Sequence, residues 1–370
     1  MKYLKGSNEK KLGRGIREKI SREARERLEL VTSRLQGMPL VKRLGILAAE
    51  PVERLVVISD IHIGDPKDTL ASKHSIQALK ETLEGLGGID ELVLLGDVFD
   101  FWKAPVYEAL KRARPLIETL YTLSNVRRIV YIPGNHDHHV FRMHYEMETS
   151  RLLAKGELGI TQMSVTLTNS CPVMEALKPK GATVPLFMAY PTRELNVQGK
   201  RALLTHGHFL GFFERSLWKD KKSFVGTLLL NRSERLDLEE MEMFLTPFYE
   251  MLTLSAFVPG INTGGYRVFR MLNRAGRAFG LQGAERTSAY RNRSIEEVAA
   301  EIEALLNRFC EEKPAYFVYG HTHRSGRLSL PISGVTAINT GCWLDDPLTG
   351  DTQKTLLEIS DEARFIVVDA

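Results

Sequence analysis

Cysteine is scarce in this chain of 370 residues: Cys171, Cys310 and Cys342 stand far apart, with no C-x-x-C pair among them. Neither a disulfide framework nor a thiolate zinc cluster is expected, and a reducing compartment is the default. Long apolar runs are missing too, because polar, Gly or Pro residues break every uncharged stretch. No membrane span is expected, and no apolar core follows Lys2, Lys5, Lys10 and Lys11 to make a secretion signal. Internal repeats and low-complexity tracts are also absent. What is present is an ordinary globular composition, 43% hydrophobic, 8% aromatic and 26% charged, which excludes a fibre or a disordered tail.

Charge of one sign is nearly balanced by the other, 50 Lys and Arg against 46 Asp and Glu, for a net charge of +4. The balance is uneven along the chain. Residues 1–50 carry 13 basic and 6 acidic side chains, so the first 50 residues are +7 and the other 320 are −3. Within that basic leader Ile16, Ile20, Ala24, Leu28, Val31 and Leu35 recur at three- or four-residue steps, the period of an amphipathic helix.

After Pro51 the texture changes to short apolar runs at 55–59, 92–95, 129–132, 202–204 and 316–319, each running into a loop rich in Asp, His, Gly or Asn. Their length and Val, Ile, Leu and Tyr content predict buried strands, with two more at 356–359 and 365–368. Helical spacing between them, as in Ile76, Leu79, Leu83 and Leu86, predicts βαβ connections and a layered α/β body. Residues 209–310 have mostly helical periodicity and read as an insertion. Its last helix is the clearest in the chain: Ser294 and Glu297 form a capping box ahead of Ile295, Val298, Ile302, Leu305, Leu306 and Phe309. The expected organisation is a basic helical extension over 1–50, a catalytic body over 51–208 and 311–370, and a helical cap over 209–310.

Five strand ends carry chemistry: Asp60-Ile61-His62, Gly96-Asp97 with Asp100, Gly134-Asn135-His136-Asp137, His206-Gly207-His208, and Gly320-His321-Thr322-His323. Taken singly, Asp-x-His or Gly-Asp beside a strand is most often just a hydrogen-bonded turn. The ordered set of five is a different matter, because strand ends in α/β sheets converge on one pocket. On an extended segment, Asp-x-His places both side chains on one face. Oxygen and nitrogen donors without thiolates suit Mn²⁺, Fe²⁺, Zn²⁺ or Co²⁺ rather than Ca²⁺. The donors outnumber the needs of one ion; two ions about 3.5–4 Å apart would use them all.

This ordered set resembles the calcineurin-like metallophosphoesterase superfamily over residues 55–345. The resemblance implies a four-layer α/β/β/α sandwich with an N-terminal helix and a helical cap outside the pattern. It implies one divalent ion held by Asp60, His62 and His323, a second by Asn135, His206 and His321, and Asp97 between them. His136 is expected unligated beside the leaving group, oriented by Asp137, these two being the catalytic pair. Mn²⁺ is the first expectation for the metals, with Fe, Zn, Co or Ni as alternatives. A hydroxide between the ions is expected to attack phosphorus in a phosphomonoester, phosphodiester or pyrophosphate. The run Gly96-Asp97-Val98-Phe99-Asp100-Phe101-Trp102 resembles the branch containing UDP-2,3-diacylglucosamine pyrophosphatases, although that branch's better-known members have Arg at the place of His136. A nucleotide-sugar or lipid-linked substrate follows from that likeness.

The insertion leaves more open. Arg267, Arg270, Arg274 and Arg277 share one helix face, and 267–293 holds seven Arg against one acidic residue, Glu285. Such a stripe fits substrate phosphates, an anionic membrane surface or a nucleic acid, or is simply a solvated face. With His208 and Asp100 these four Arg are the substrate-binding candidates. Apolar residues including Phe248, Met251 and Leu252 fit either an acyl pocket or packing of the cap. A nuclease, and a scaffold docking through the basic helix and the stripe, stand as alternative functions. The expected place is the cytoplasm, with peripheral contact at the inner membrane face.

Overall fold

The computed structural model describes residues 51–157, 165–213, 238–256, 293–345 and 354–369. The helix expected over 1–50 and the Arg stripe at 267–277 lie outside the described residues. In chain order the elements are β1 (Leu55–Ile58), α1 (Lys73–Gly85), β2 (Glu91–Leu95), α2 (Val106–Tyr121), β3 (Ile129–Ile132), α3 (His139–Ala154), β4 (Val165–Thr168), α4 (Pro172–Leu177), β5 (Leu186–Tyr190), β6 (Thr192–Val197) and β7 (Lys200–Thr205). A 3₁₀ turn over His208–Phe213 precedes α5 (Leu238–Ser255) and α6 (Ile295–Phe309). Then come β8 (Tyr316–Tyr319), β9 (Gly326–Ser329), β10 (Thr336–Asn339), β11 (Lys354–Ile359) and β12 (Ala363–Val368).

The strands form two sheets, a seven-stranded one in the order β12-β11-β1-β2-β3-β5-β4 and a five-stranded one in the order β6-β7-β8-β10-β9. In the first, β1, β2, β3 and β5 run parallel; in the second, β7, β8 and β10 do. Each parallel strand is buried on both faces, which is why the sequence shows unbroken apolar runs there rather than alternation. The pleat sends Val56 and Ile58 of β1 toward helices, and Leu55 and Val57 into the space between the sheets. On β8 the same division sends Phe317 and Tyr319 outward to helix, and Tyr316 and Val318 inward. Helices α1 to α4 cover the outer face of the first sheet, and α6 that of the second, giving the four layers α/β/β/α.

Helix α6 thus belongs to the body. Residues 209–310 were expected to form a cap, yet Val298, Ile302, Leu305 and Leu306 pack with Phe317, Leu330 and Ala337 of the second sheet. Periodicity alone reports that a helix has an apolar face, not which surface receives it. Its start is as the sequence predicts: the Ser294 N–H donates to Glu297 at 2.7 Å. The two sheets are also joined by charge. Glu91 on β2 accepts two hydrogen bonds from Arg193 on β6, at 3.0 and 3.1 Å, and one from Arg128 at 2.8 Å, with Glu91 wholly buried.

Candidate active site

The carboxyl ends of β1, β2 and β3 and those of β7 and β8 meet at one place, where the strands stop and the chain turns sharply. Asp60 and His62 follow β1, Asp97 and Asp100 follow β2, Asn135, His136 and Asp137 follow β3, His206 follows β7, and His321 and His323 follow β8. All are buried except His321, which is partly open. Donor atoms of Asp60, His62 and His323 lie within 4.8 Å of one another, as do those of Asp97, His206 and His321. His62, Asp97 and His136 form a third such group, which puts the His136 ring against the first two.

The backbone that presents these side chains is not the extended segment the sequence suggested. Asp60, His62, Asp97, His321 and His323 all have φ between 51° and 65°, five of the six non-glycine residues in the left-handed region among those described. Each costs on the order of 1–3 kcal/mol and persists because neighbours over-determine it. Asp60 and His62 therefore converge through tight turns and not by the alternation of a strand. Glycines make the room: a Cβ on Gly96 would collide with His206, one on Gly134 with Asp97, and one on Gly320 with Asp60.

Hydrogen bonds fix each donor. The His321 N–H donates to both oxygens of Asp60 at 3.1 and 3.0 Å, and the His136 N–H donates to Asp97 Oδ1 at 2.8 Å. His206 Nδ1 lies 3.1 Å from the Leu95 carbonyl, which turns Nε2 toward Asp97 Oδ2 at 3.2 Å. Burial raises the Asp60 and Asp97 carboxyls, yet the surrounding imidazoles outweigh it and hold both well below the ordinary range. Burial likewise lowers His206, but Asp97 and Asp60 outweigh it and push it up to about 10. His321 is lowered well below the ordinary range by burial and by His206. The buried Asn135 Oδ1 has no hydrogen-bond partner among the described residues, an acceptor waiting for a cation. These residues fit a pair of divalent ions.

Two residues stand otherwise than expected. Asp137 does not orient His136; its carboxylate accepts the backbone N–H groups of Gly134 at 2.6 Å, Val98 at 2.7 Å, Phe99 at 3.2 Å and Asp97 at 3.3 Å. It ties the β2 and β3 loops together. Asp100, expected to bind substrate, is wholly buried and takes the orienting place, with Oδ1 2.9 Å from His136 Nδ1. The neighbour of a histidine in sequence is a poor guide to its partner once a turn points the two side chains apart.

His208, another substrate-binding candidate, is engaged by Glu242 of α5, 2.7 Å from its Nε2. The Tyr190 hydroxyl also donates to Glu242, whose carboxyl these partners lower despite full burial. Glu250 of the same helix meets His139 Nδ1 at 2.6 Å and His138 Nδ1 at 3.3 Å. Nothing in the sequence pointed to Glu242, Glu250 or Tyr249, because only the fold brings α5 to the site. Phe248 and Met251, expected in an acyl pocket or in cap packing, lie exposed at 50% and 42%.

Residues 53–247 match the calcineurin-like phosphoesterase family. The chain belongs to that family, and fold and site together define a metal-dependent phosphoester hydrolase. Among solved structures it is similar to a dimetal phosphatase from Danio rerio, at 13% identity and a TM-score of 0.36, covering 86% of this chain and 100% of that one. It is also similar to vacuolar protein sorting 29 from Cryptosporidium parvum, at 10% identity and a TM-score of 0.28, covering 86% and 97%. A single mutant of Vps29 from Entamoeba histolytica is similar at 10% identity and a TM-score of 0.29, covering 85% and 98%. No curated protein matches the chain. Among the described residues no helix is long and apolar enough to cross a membrane.

Proposed function

We propose that this protein hydrolyses a phosphomonoester, phosphodiester or pyrophosphate bond in a nucleotide-sugar or lipid-linked small molecule, with Asp60, His62 and His323 holding one divalent ion, Asn135, His206 and His321 a second, and Asp97 shared. The observation that carries the reading is the shared place of Asp97, which lies 3.2 Å from His206 and 3.6 Å from His62 and so joins the two donor groups. Divalent ions held by these residues would supply a nucleophilic oxygen from water near neutral pH and would offset charge on the phosphoryl oxygens. The chain's own contribution beyond holding them is His136. Burial lowers this imidazole and Asp100 at Nδ1 offsets part of that, so His136 in its protonated form would give the Nε2 proton to the departing oxygen and be left neutral, worth about 10²–10⁴-fold. Asp60 and Asp97, kept ionised, hold the positive charge in place.

Mn²⁺-dependent hydrolysis of bis-p-nitrophenyl phosphate, lost on chelation and regained on reloading, is the expected result. His136→Ala keeps its metals and loses turnover, whereas Asp97→Ala loses both; full activity in either variant overturns the assignment. A substrate panel of nucleotide sugars, UDP-2,3-diacylglucosamine, cyclic nucleotides and single-stranded DNA then separates the substrate classes. Preferred cleavage of DNA would replace this reading with a nuclease.

A further inference from the structure

Aromatic rings follow one another in an arc round the metal-ligand cluster. His62 meets His136 edge-on at a centroid distance of 4.7 Å, and His136 stacks on Trp102 at 3.9 Å. Trp102 lies 6.2 Å from Tyr249, Tyr249 meets His208 edge-on at 5.5 Å, and His208 lies 6.3 Å from His321. Every ring in the arc but one stands on a strand-end loop. The exception is Tyr249, brought by α5 into the gap between Trp102 and His208.

Helix α5 is fastened for this purpose at two points two turns apart. Glu242 meets His208, and Glu250 meets His138 and His139, with the Thr246 hydroxyl 3.3 Å from His138 Nε2. Glu242, Thr246 and Tyr249 follow at steps of four and three and so share a face, and Glu250 lies four residues after Thr246 on its side. Glu242, Thr246 and Tyr249 are buried. A buried carboxylate is costly unless paired, so these contacts define one seating of the helix. That seating sets the buried Tyr249 ring beside the partly exposed Trp102 indole, which itself stacks on His136.

We propose that Trp102 and Tyr249 form the wall against which the leaving group packs, so that the enzyme prefers esters of flat, aromatic leaving groups, such as aryl or nucleobase-bearing alcohols, over alkyl ones. This rests on the phosphoesterase reading, in which His136 faces the departing oxygen. His136 and Trp102 being stacked, a group leaving past His136 meets the indole first and Tyr249 next. Trp102 and Tyr249 are specificity residues; Glu242 and Glu250 are positioning residues that act through Tyr249.

The first test uses the metal-loaded wild-type protein: phenylphosphonate should inhibit about five-fold more tightly than methylphosphonate, the gain expected of one aromatic contact. Equal inhibition overturns the proposal. The second compares kcat/KM for the p-nitrophenyl and trifluoroethyl esters of one phosphoryl group. Tyr249→Leu and Trp102→Leu should each lower the aryl-to-alkyl ratio about five-fold, mainly through KM of the aryl ester, while Tyr249→Phe keeps the ratio. An unchanged ratio in folded leucine variants overturns the wall. Absence of metal-dependent turnover of either ester by the wild type instead overturns the phosphoesterase reading.

Discussion

Asp100 lies 2.9 Å from His136 Nδ1 through one oxygen and 3.3 Å from His62 Nδ1 through the other, so a single buried carboxylate engages both the proposed proton donor and a proposed metal ligand. Burial raises its pKa, yet these imidazoles outweigh burial and keep it ionised. Asp100→Asn should lower kcat about 10²-fold, the smaller end of a general-acid contribution. It should also weaken metal affinity about ten-fold through His62, as loss of a partner behind a ligand does. His136→Ala shares only the first effect, and metal titration beside kinetics at saturating Mn²⁺ distinguishes them.

Asp137 is the contrasting case. It accepts four backbone N–H groups, so Asp137→Ala leaves buried donors unpaired and should destabilise the protein by about 3 kcal/mol. Urea denaturation of the variant checks this. A midpoint equal to wild type would remove the loop-tying role.

Gly134→Ala places a methyl group where Asp97 and His206 stand. The expected outcome is a folded protein that binds less metal and turns over about 10²-fold more slowly, because a shift near 1 Å in the reacting groups is enough for that. Circular dichroism and metal analysis on the same sample report the two halves of the prediction. Wild-type metal content with wild-type activity would contradict it.

Arg193→Ala leaves Glu91 buried with one partner in place of two. A loss of about 3 kcal/mol is expected, and Glu91→Leu with Arg193→Leu and Arg128→Leu together should restore most of it, since apolar groups replace buried ion pairs and triads at little cost. Equilibrium unfolding of the single and triple variants measures the difference.

Glu250 gives a pH dependence. Burial raises its carboxyl, but hydrogen bonds from His138 and His139 outweigh that and lower it to about 2 from the ordinary 4.5. The folded chain thus binds this proton less tightly than the unfolded one. Its stabilisation is present above pH 4.5 and is lost as pH falls toward 2. Glu250→Gln should melt below wild type at pH 6, with the gap closing as pH falls through that window. A gap independent of pH would show that the pairing carries no stability.

Much of the fold was legible because burial on both faces leaves a mark in single residues. The runs at 129–132 and 316–319 are the strands β3 and β8 to the residue, and Ser294 starts α6. Edge strands such as β6 and β9 lacked that mark, since their alternating burial resembles loop sequence. The donors were legible as a set because Asp, Asn and His beside Gly have few other reasons to follow five strands in order. Roles resting on direction were not. Asp137 adjoins His136 in sequence and faces away from it, while Asp100, 36 residues earlier, faces toward it. Glu242 and Tyr249 were invisible because a helix's approach to a site is set by tertiary packing.

Two of the three donor groups draw on both sheets: Asp60 and His62 come from the first and His323 from the second, and Asp97 comes from the first with His206 and His321 from the second. An ion in either place is therefore a rivet through the seam of the sandwich. A nascent chain that has emerged only as far as α6 carries neither group complete, because His321 and His323 follow β8. The two groups are complete only where β8 lies beside β7 and the two halves of the body, separated in sequence by the stretch from α5 to α6, meet.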